Sequence, residues 1–458
     1  MVAITFLGAA GTVTGSKYLV EGSRAKVIVD LGLFQGSREW NLKNWEPLGV
    51  DFSKINAALL THAHIDHCGM FPRFAAQGLK APVYATAATI ALCGLLLPDS
   101  GRLQEEEAQW RAKKHRSRHN PPLPLYTEAQ ALDCLKQLRA VPFHKDVDIA
   151  PGISAHFSRM GHILGAGSIN LSVDGKKITF SGDIGRYTVP ILKDPEPVDL
   201  GDLLLIESTY GDRLHDVDPA PNALEHVLKR TFARGGVVVI PSFAVGRTQS
   251  LLYHLRELKQ AGRIPDVPVV VDSPMADDAT KLYAKYSDDY DEAALGILKQ
   301  GNLPFSMPKL FFTKDRSESI RLNAVDSPMV IIAASGMLTG GRILHHLRHR
   351  VSSPINTILF VGCQPPGSRG AWMKSGAESM RLLGQEVPIR AEIAEISGLS
   401  AHGDRDELLR WCKSCSGRPS KVAIVHGEPE AAQSFARTLH DKMGWDPFVA
   451  SFKQRVEI

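Results

Sequence analysis

A cluster of metal-binding residue types occupies six consecutive positions near the start of the chain. Residues 62–67 read His-Ala-His-Ile-Asp-His, so three imidazoles and one carboxylate are crowded together. Charged histidines repel one another, whereas neutral imidazole and carboxylate are ordinary zinc ligands. A lone interior histidine is more often hydrogen-bonded than metal-bound. Four ligand-type residues at this spacing favour a metal site.

Further ligand-type residues follow short apolar runs elsewhere, usually beside a glycine. Loops at strand ends are where a rigid scaffold places reactive groups, and glycine there allows backbone to approach a ligand closely. Taken singly, each of these residues could have a purely structural role, as a hydrogen-bonded histidine, as an aspartate that forms a turn, or as a buried acid whose hydrogen bonds are all made. The residues that share this setting are Asp30 in IVDLG, His162 in GHILGAG, Asp183 in SGDIG, Glu207 in IEST, His402 in LSAHGD and His426 in IVHGE.

Together with residues 62–67, these side chains predict a site for two metal ions. Side chains alternate along an extended segment, so His62 and His64 point to one side, while Asp66 and His67 turn away to a second ion. Two ions about 3.5–4 Å apart can hold a bridging hydroxide and stabilise both the attacking and the leaving oxygen of a phosphoryl displacement. The predicted chemistry is hydrolysis at phosphorus.

Short strands separated by Gly-containing turns are predicted over the first 200 residues. The charged stretch 101–126 begins with helical character and is then broken by a proline cluster. Asp174-Gly175 predicts a tight hairpin turn within 168–183. The predicted strands are 2–8, 16–22, 25–32, 56–63, 82–86, the 168–183 hairpin and 202–209.

From about residue 220 the pattern changes to strand–helix–strand units. Continuous apolar strands alternating with amphipathic helices indicate a parallel sheet covered on both faces. The run HHLRHR at 345–350 is interpreted as a solvated helix face, with an RNA-contacting patch as the alternative. The predicted strands are 235–243, 267–274, 329–336, 356–362 and 421–428, and the predicted helices are 246–260, 341–350 and 405–415.

Composition indicates an ordinary globular enzyme rather than a specialised class. A chain of 458 residues predicts two or three domains, and 53 basic against 49 acidic residues give a nearly balanced net charge of +4. No signal peptide and no membrane span are predicted. Six cysteines in a chain of this length do not form a disulfide scaffold, so a reduced, cytoplasmic location is expected. Cys412 and Cys415 are interpreted as helix-borne thiols without an assigned role.

The motifs taken together resemble the metallo-β-lactamase superfamily and, within it, the β-CASP nucleases, a branch that includes bacterial ribonuclease J and the cleavage-and-polyadenylation endonuclease. The resemblance extends over essentially the whole chain. It rests on GAAGTVTGSKYLV, VDLGLFQG, THAHIDHCGMFPR, GHILGAGS, FSGDIGR, ESTYGDR, PSFAVGRTQ, ISGLSAHGD and VHGE, in the order of that family.

This resemblance implies two Zn²⁺ ions and a role for each residue. His62, His64 and His162 would bind the first ion and Asp66, His67 and His426 the second, with Asp183 bridging both. Asp30 would orient a ligand histidine. Asp183, His402, Glu207 and Asp66 would be catalytic, with His402 protonating the leaving oxygen, Glu207 holding it, and metal-bound hydroxide attacking phosphorus. Ser400, Arg247 and Arg342 would contact substrate.

The fold implied by the resemblance is an α/β protein, an αββα sandwich with an inserted β-CASP domain built on a parallel sheet. The sandwich would be formed by 1–208 and 398–458, and the insertion by 209–397. RNA would lie between the domains, and His426 at the third β-CASP motif favours RNA over DNA. Recognisable elements begin at residue 2 and end about 30 residues past His426, so the cleft itself is expected to supply RNA affinity.

The expected function is hydrolysis of single-stranded RNA in RNA processing or decay, as an endonuclease or also as a 5′-to-3′ exonuclease. The expected partner is RNA, with a homodimer as a candidate assembly and no membrane. Two other classes stay open: a metallo-β-lactamase-fold hydrolase of a small ester or thioester, and a noncatalytic subunit of an RNA complex. The first would not need Glu207 and His402, and the second would tolerate loss of metal ligands.

Overall fold

The computed structural model describes residues 1–113, 122–215, 220–362, 364 and 368–458. These residues form two compact units, the first comprising 1–188, 193–214 and 402–458, and the second comprising 189–192 and 215–401. The sequence prediction placed the inserted domain at 209–397. Part of the charged stretch 101–126, including its first proline, lies outside the described residues.

Strands make up most of the framework. In chain order they are β1 (Ala3–Phe6), β2 (Tyr18–Glu21), β3 (Lys26–Val29), β4 (Ala57–Leu59), β5 (Val83–Thr86), β6 (Leu138–Val141), β7 (Asp146–Ala150), β8 (Ile153–Arg159), β9 (Gly167–Val173), β10 (Lys176–Phe180), β11 (Leu203–Ile206), β12 (Val238–Pro241), β13 (Val269–Asp272), β14 (Leu310–Phe312), β15 (Val330–Ala333), β16 (Thr357–Phe360), β17 (Ser379–Leu382), β18 (Gln385–Pro388), β19 (Glu392–Glu395), β20 (Lys421–Ile424), β21 (Pro447–Val449) and β22 (Arg455–Glu457).

The α-helices connect and cover these strands. They are α1 (Arg38–Lys43), α2 (Ile65–Cys68), α3 (Phe71–Ala76), α4 (Ala87–Lys113), α5 (Glu128–Cys134), α6 (Ala220–Ala233), α7 (Arg247–Gln260), α8 (Pro274–Lys285), α9 (Glu292–Lys299), α10 (Arg316–Leu322), α11 (Ile343–Arg350), α12 (Arg369–Lys374), α13 (Arg405–Ser414) and α14 (Pro429–Met443). Short 3₁₀ turns occur at Phe52–Lys54, Leu135–Gln137, Ser287–Asp289 and Ser397–Leu399. Among the described residues, no helix is both long and apolar enough to cross a bilayer.

Two seven-stranded sheets face each other in the first unit. Their strand orders are β22-β1-β2-β3-β4-β5-β6 and β21-β20-β11-β10-β9-β8-β7. Side chains alternate in strands, so Leu203 and Leu205 of β11 face the other sheet while Leu204 and Ile206 face outward. The outward pair packs against α13 and α14 in a second core that contains Trp411. Burial of each such leucine contributes roughly 2 kcal/mol.

The second unit is built on one six-stranded parallel sheet in the order β14-β13-β15-β12-β16-β19. Its central strands are buried on both faces, as the continuous apolar runs predict. On one face, Val239 and Ile331 pack with Ile343 and Leu347 of α11. The predicted alternation of strands and helices is therefore present, and its parallel register brings the carboxyl ends of several strands to one edge.

Three local predictions need correction. Helix α4 begins at Ala87, well before the charged stretch at 101 where helical character was predicted, and it continues through Pro98. The run at 345–350 is not simply a solvated face, because His346 and Arg350 are buried. His402 does not end a strand: it lies in the loop before α13, where it forms an isolated antiparallel bridge with Gly185.

Candidate metal centre and its surroundings

Several strands of the first unit end at one cluster of polar side chains. Asp30 follows β3, His62 lies just beyond β4, Asp183 follows β10, Glu207 follows β11, and His426 lies just beyond β20. Asp30 and His426 adopt left-handed backbone, with φ of 60° and 48°. Such conformations are uncommon for residues other than glycine and turn the chain sharply out of the strand.

The first group of potential ligands consists of His62, His64, His162 and Asp183, whose ligand atoms all lie within 4.8 Å of one another. His64 Nδ1 lies 3.0 Å from His62 Nε2 and 3.1 Å from His162 Nε2. Asp183 Oδ2 lies 3.5 Å from His62 Nε2 and 3.3 Å from His162 Nε2. Three imidazoles and one carboxylate oxygen therefore converge on one point.

The second group consists of Asp66, His67 and His426. The Nε2 atoms of His67 and His426 are 3.2 Å apart. Asp66 Oδ2 lies 3.4 Å from His426 Nε2 and 4.0 Å from His67 Nε2. Asp66 and His67 lie in helix α2, which begins immediately after His64. The start of this helix turns them away from His62 and His64.

Asp183 lies between the two groups and presents one oxygen to each. Oδ2 faces His62 and His162 of the first group, while Oδ1 lies 3.2 Å from His67 Nε2 and 3.8 Å from His426 Nδ1. The carboxylate is 2 % exposed, so water does not screen these contacts. This is the arrangement that a bridging carboxylate requires.

The donor set fits bound cations. Ring nitrogens face one another at hydrogen-bond distance, and a cation between them satisfies their lone pairs together. Burial lowers the pKa of His64 to about 4 and that of His62 well below 6.5, so both are neutral, the form that binds metal. Burial opposes ionisation of Asp183, but His426, His67 and His62 hold its pKa well below 3.8. Asp183 is therefore ionised and holds no proton.

Hydrogen bonds behind the ligands orient the rings. Asp30 Oδ2 lies 2.7 Å from His67 Nδ1, which leaves Nε2 of that ring facing the site. Ser16 Oγ and the Thr61 amide donate to the Asp30 carboxylate at 3.0 and 2.8 Å. Carboxylates in this position fix the tautomer of a ligand histidine and raise its basicity. Asp30 is thus placed as an outer partner of His67.

Close backbone packing holds the ligand turn against strand β3. The amide of Ser16 donates to the carbonyl of Asp66 at 2.8 Å, and that of Leu31 donates to the carbonyl of His67 at 2.7 Å. A Cβ atom on Gly32 would lie 1.7 Å from the Asp66 carbonyl oxygen, so only glycine fits there. The expected role of glycine in close backbone approach holds at this position.

His402 and Glu207 form a pair beside the first ligand group. His402 Nδ1 lies 3.2 Å from Glu207 Oε1, and its Nε2 lies 3.8 Å from Asp183 Oδ2. Glu207 is fully buried and accepts from the amides of Ile184 at 2.7 Å and Thr209 at 3.2 Å. Burial disfavours the charged imidazole, but the carboxylates of Glu207 and Asp183 raise the pKa of His402 to about 9. This geometry yields a protonated imidazole facing the candidate metal site.

Comparison with known proteins identifies the family. A metallo-β-lactamase superfamily model matches residues 10–227, a Beta-Casp domain model matches 248–373, and a model described as a Zn-dependent metallo-hydrolase RNA specificity domain matches 386–450. Ribonuclease TTHA0252 of Thermus thermophilus is 37 % identical over 94 % of both chains. The chain belongs to the β-CASP family of the metallo-β-lactamase superfamily. The predicted family and fold class are confirmed.

Further similar proteins align over nearly the whole chain. An RNase J-like protein of Methanocaldococcus jannaschii is 30 % identical over 98 % of each chain. Transcription termination factor FttA of the same organism is 30 % identical, covering 96 % of this chain and 69 % of its own. A crystal structure of a protein of unknown function from Enterococcus faecalis has the same fold, with a TM-score of 0.54, 11 % identity and 99 % coverage of both chains.

The residues expected to contact substrate lie in the second unit. Arg247 begins helix α7, and its guanidinium donates to the carbonyl of Val361. Arg342 precedes α11, and Nη1 donates to Asp272 Oδ1 at 2.7 Å and to Thr313 Oγ1 at 2.8 Å. Ser400 follows the 3₁₀ turn Ser397–Leu399. The two arginines are therefore anchored at the carboxyl edge of the parallel sheet.

Three positioning residues were missed by the sequence prediction. Thr209 Oγ1 lies 3.0 Å from His426 Nδ1, which directs the Nε2 atom of that ring toward Asp66. Thr61 and Ser16 hold the carboxylate of Asp30. Thr61 and Thr209 each occupy a quoted motif, THAHIDH and ESTYGD, so their proximity to ligands was visible. Their hydrogen-bond partners, which are distant in sequence, were not.

Proposed function

We propose that this protein is a zinc-dependent ribonuclease that hydrolyses phosphodiester bonds of single-stranded RNA with two zinc ions. The observation that carries the proposal is the His402–Glu207 pair, 3.2 Å apart, beside a complete set of seven ligands. Two relatives, ribonuclease TTHA0252 and the RNase J-like protein, are named as ribonucleases, and one family model matched is described as an RNA specificity domain. A hydrolase of small esters needs no such proton donor.

Each ion has its own ligands. His62, His64 and His162 would hold one zinc, and Asp66, His67 and His426 the other, with Asp183 shared. When bound, two zinc ions lower the pKa of water to near neutrality and stabilise negative charge on the phosphate oxygens. Asp30 and Thr209 keep the rings of His67 and His426 oriented for binding.

His402 acts as the general acid. Its Nδ1–H donates to Glu207, so the proton available to substrate is on Nε2, on the side of Asp183. As the oxygen of a hydroxide ion bonds to phosphorus, the bond from phosphorus to the 3′ oxygen breaks, and the Nε2 proton passes to that oxygen. The products are a 3′-hydroxyl and a 5′-phosphate. General-acid catalysis of this kind contributes roughly 10²–10⁴ in rate.

Arg247, Arg342 and Ser400 are assigned to substrate. Arginine is suited to phosphate because its planar fork donates two parallel hydrogen bonds. Nη1 of Arg342 donates to Asp272 and Thr313. These two hydrogen bonds fix the orientation of its guanidinium group. A role in RNA processing or decay, a homodimeric assembly and a cytoplasmic location complete the proposal.

The test is cleavage of one single-stranded RNA labelled separately at its 5′ end and internally. Internal fragments that disappear with Asp183→Ala would support a metal-dependent endonuclease, and mononucleotides released from the 5′ end would support an exonuclease. Asp146→Ala is the matched control, because this carboxylate is 82 % exposed on β7. An inactive zinc-loaded protein, or an Asp183→Ala protein as active as the control, would refute the proposal.

A further inference from the structure

A cavity of about 320 Å³ in the first unit is separate from the candidate metal centre. None of the seven ligand side chains lines it. The loop 43–50 forms one wall, and residues of α3 form another. Trp45 supplies partly exposed aromatic surface, whereas Phe34, Phe52 and Phe74 in the same lining are buried. The volume lies at the lower end of the range of pockets that bind small molecules, which are also largely apolar with a few placed polar groups.

Three cations line this cavity without a carboxylate partner. They are Lys17, Lys43 and Arg73, and among the residues that the structure describes none of them forms an ion pair. Glu46, on the rim, is the one acid in the described lining, and it is exposed. Buried cations are normally paired, so uncompensated positive charge around a cavity is typical of a site for an anion.

Lys17 is the deepest of the three and is 1 % exposed. Its ammonium donates to the carbonyls of Gly15 and Gly32 at 2.7 and 2.8 Å and lies 3.9 Å from the centroid of the Phe34 ring. Burial lowers its pKa to about 7, although the negative charge of Asp30 partly opposes this effect. A negative group in the cavity would stabilise the charged ammonium.

Lys43 and Arg73 are less deeply buried and are held against aromatic rings. Lys43 Nζ lies 4.7 Å from the Phe452 ring centroid, and Arg73 Cζ lies 4.9 Å from that of Trp45. Arg73 also donates to the carbonyl of Leu125 at 3.0 Å, which uses one of its five N–H groups. The remaining N–H groups of both side chains are available to an anionic ligand.

We propose that this cavity binds a nucleotide, with the base against Trp45 and the phosphate at Lys43 and Arg73. Aromatic surface recognises the face of any base, and paired cations recognise phosphate. The choice of a nucleotide among aromatic anions rests on the proposed ribonuclease function, because RNA hydrolysis leaves 5′-phosphorylated nucleotides and chain ends. The occupant is either a free mononucleotide or one nucleotide of a bound RNA chain.

The test is calorimetric titration of the full-length protein with AMP, adenosine and inorganic phosphate, without RNA. AMP is expected to bind more tightly than either fragment. Lys43→Gln and Arg73→Gln should each weaken AMP binding about tenfold or more, since each removes a charge-assisted contact. Lys80→Gln, which removes an exposed charge outside the cavity, should leave AMP binding within about twofold. Thermal unfolding of each variant verifies that it is folded.

Asp183→Ala separates this cavity from the metal centre. AMP binding that survives Asp183→Ala and is lost with Arg73→Gln supports the proposal, whereas the reverse pattern, or no AMP binding at all, overturns it. In the Asp183→Ala protein, a single-stranded RNA that displaces AMP identifies a nucleotide of the chain as occupant, and one that does not identifies the free nucleotide. Cleavage of RNA is measured separately. A protein that cleaves RNA but does not bind AMP refutes only the proposed nucleotide site, and a protein that binds AMP but does not cleave RNA refutes only the proposed ribonuclease function.

Discussion

Replacing Glu207 by glutamine removes one charge beside His402 and the carboxylate oxygen that accepts from the Thr209 amide. The glutamine oxygen can take the place of Oε1, which accepts from the Ile184 amide at 2.7 Å and faces His402 Nδ1 at 3.2 Å. Unit charges 3.2 Å apart attract by about 5 kcal/mol at an effective dielectric constant of about 20. At 1.36 kcal/mol per pKa unit this corresponds to a change in the pKa of His402 of up to about four.

The raised pKa of His402 sets a lower bound on the change expected from Glu207→Gln. Burial opposes the imidazolium, and Glu207 with Asp183 still raises the pKa from 6.5 to about 9. With Glu207→Gln, burial still lowers the pKa of His402 and only Asp183 and Asp66 still raise it, so this pKa should fall by roughly two to four. A general acid must be protonated, so the rate is high below this pKa and falls as pH rises through it. The alkaline limb of the pH–rate profile should therefore shift to lower pH by about two units or more.

The assay is the pH dependence of kcat/KM for RNA cleavage between pH 5 and pH 10. At pH 8 the protonated fraction of His402 falls from about 0.9 to about 0.1 or less, so the variant should be about tenfold slower or worse. Glu39→Gln, an exposed acid in the same unit, should leave the profile in place. An equal loss of rate by Glu207→Gln at every pH would refute the reasoning, because it would mean that Glu207 does not control the protonation of His402.

Three further changes test other parts of the structure. Asp183→Ala should reduce bound zinc measured by elemental analysis, since both ligand groups lose a donor; unchanged zinc would contradict the bridging role. Asp30→Asn should weaken zinc affinity about 10–100-fold in chelator competition, because His67 loses its charged partner, and equal affinity would exclude that role. Asp272→Leu should lower the free energy of unfolding by about 3–5 kcal/mol in urea, since Arg342 and His346 lose a buried carboxylate. A neutral effect would show that this network is dispensable.

The residues that meet in the candidate metal centre could be predicted because they stand in short, readable motifs. A buried strand needs apolar residues, so a lone histidine or aspartate at its end, as in SGDIG or IVHGE, is conspicuous in the sequence. The same rule misplaced His402, which reaches its position through a loop before α13. Loop geometry depends on partners elsewhere in the chain, here an isolated bridge with Gly185.

The second unit shows where local patterns mislead. The run at 345–350 has the composition of a solvated surface, yet His346 lies 2.5 Å from Asp272 Oδ2, and Arg350 donates to the carbonyls of Leu322 and Val325. Polar side chains can be buried when distant partners satisfy them. The periodicity of the sequence carries no information about such partners. It therefore could not distinguish the buried His346 and Arg350 from His345, which is exposed.

The sequence by itself determined which residue types stand at the ends of the strands, and with them the family, the fold class and the metal ligands to be expected. It did so because strand patterning and glycine turns are local properties of the chain. Only the tertiary structure decided that Asp183 offers one oxygen to each ligand group, that Thr209 orients His426, and that Lys17 lies buried beside a cavity. Each of these depends on distances between segments far apart in the chain, which are set by how the sheets pack together.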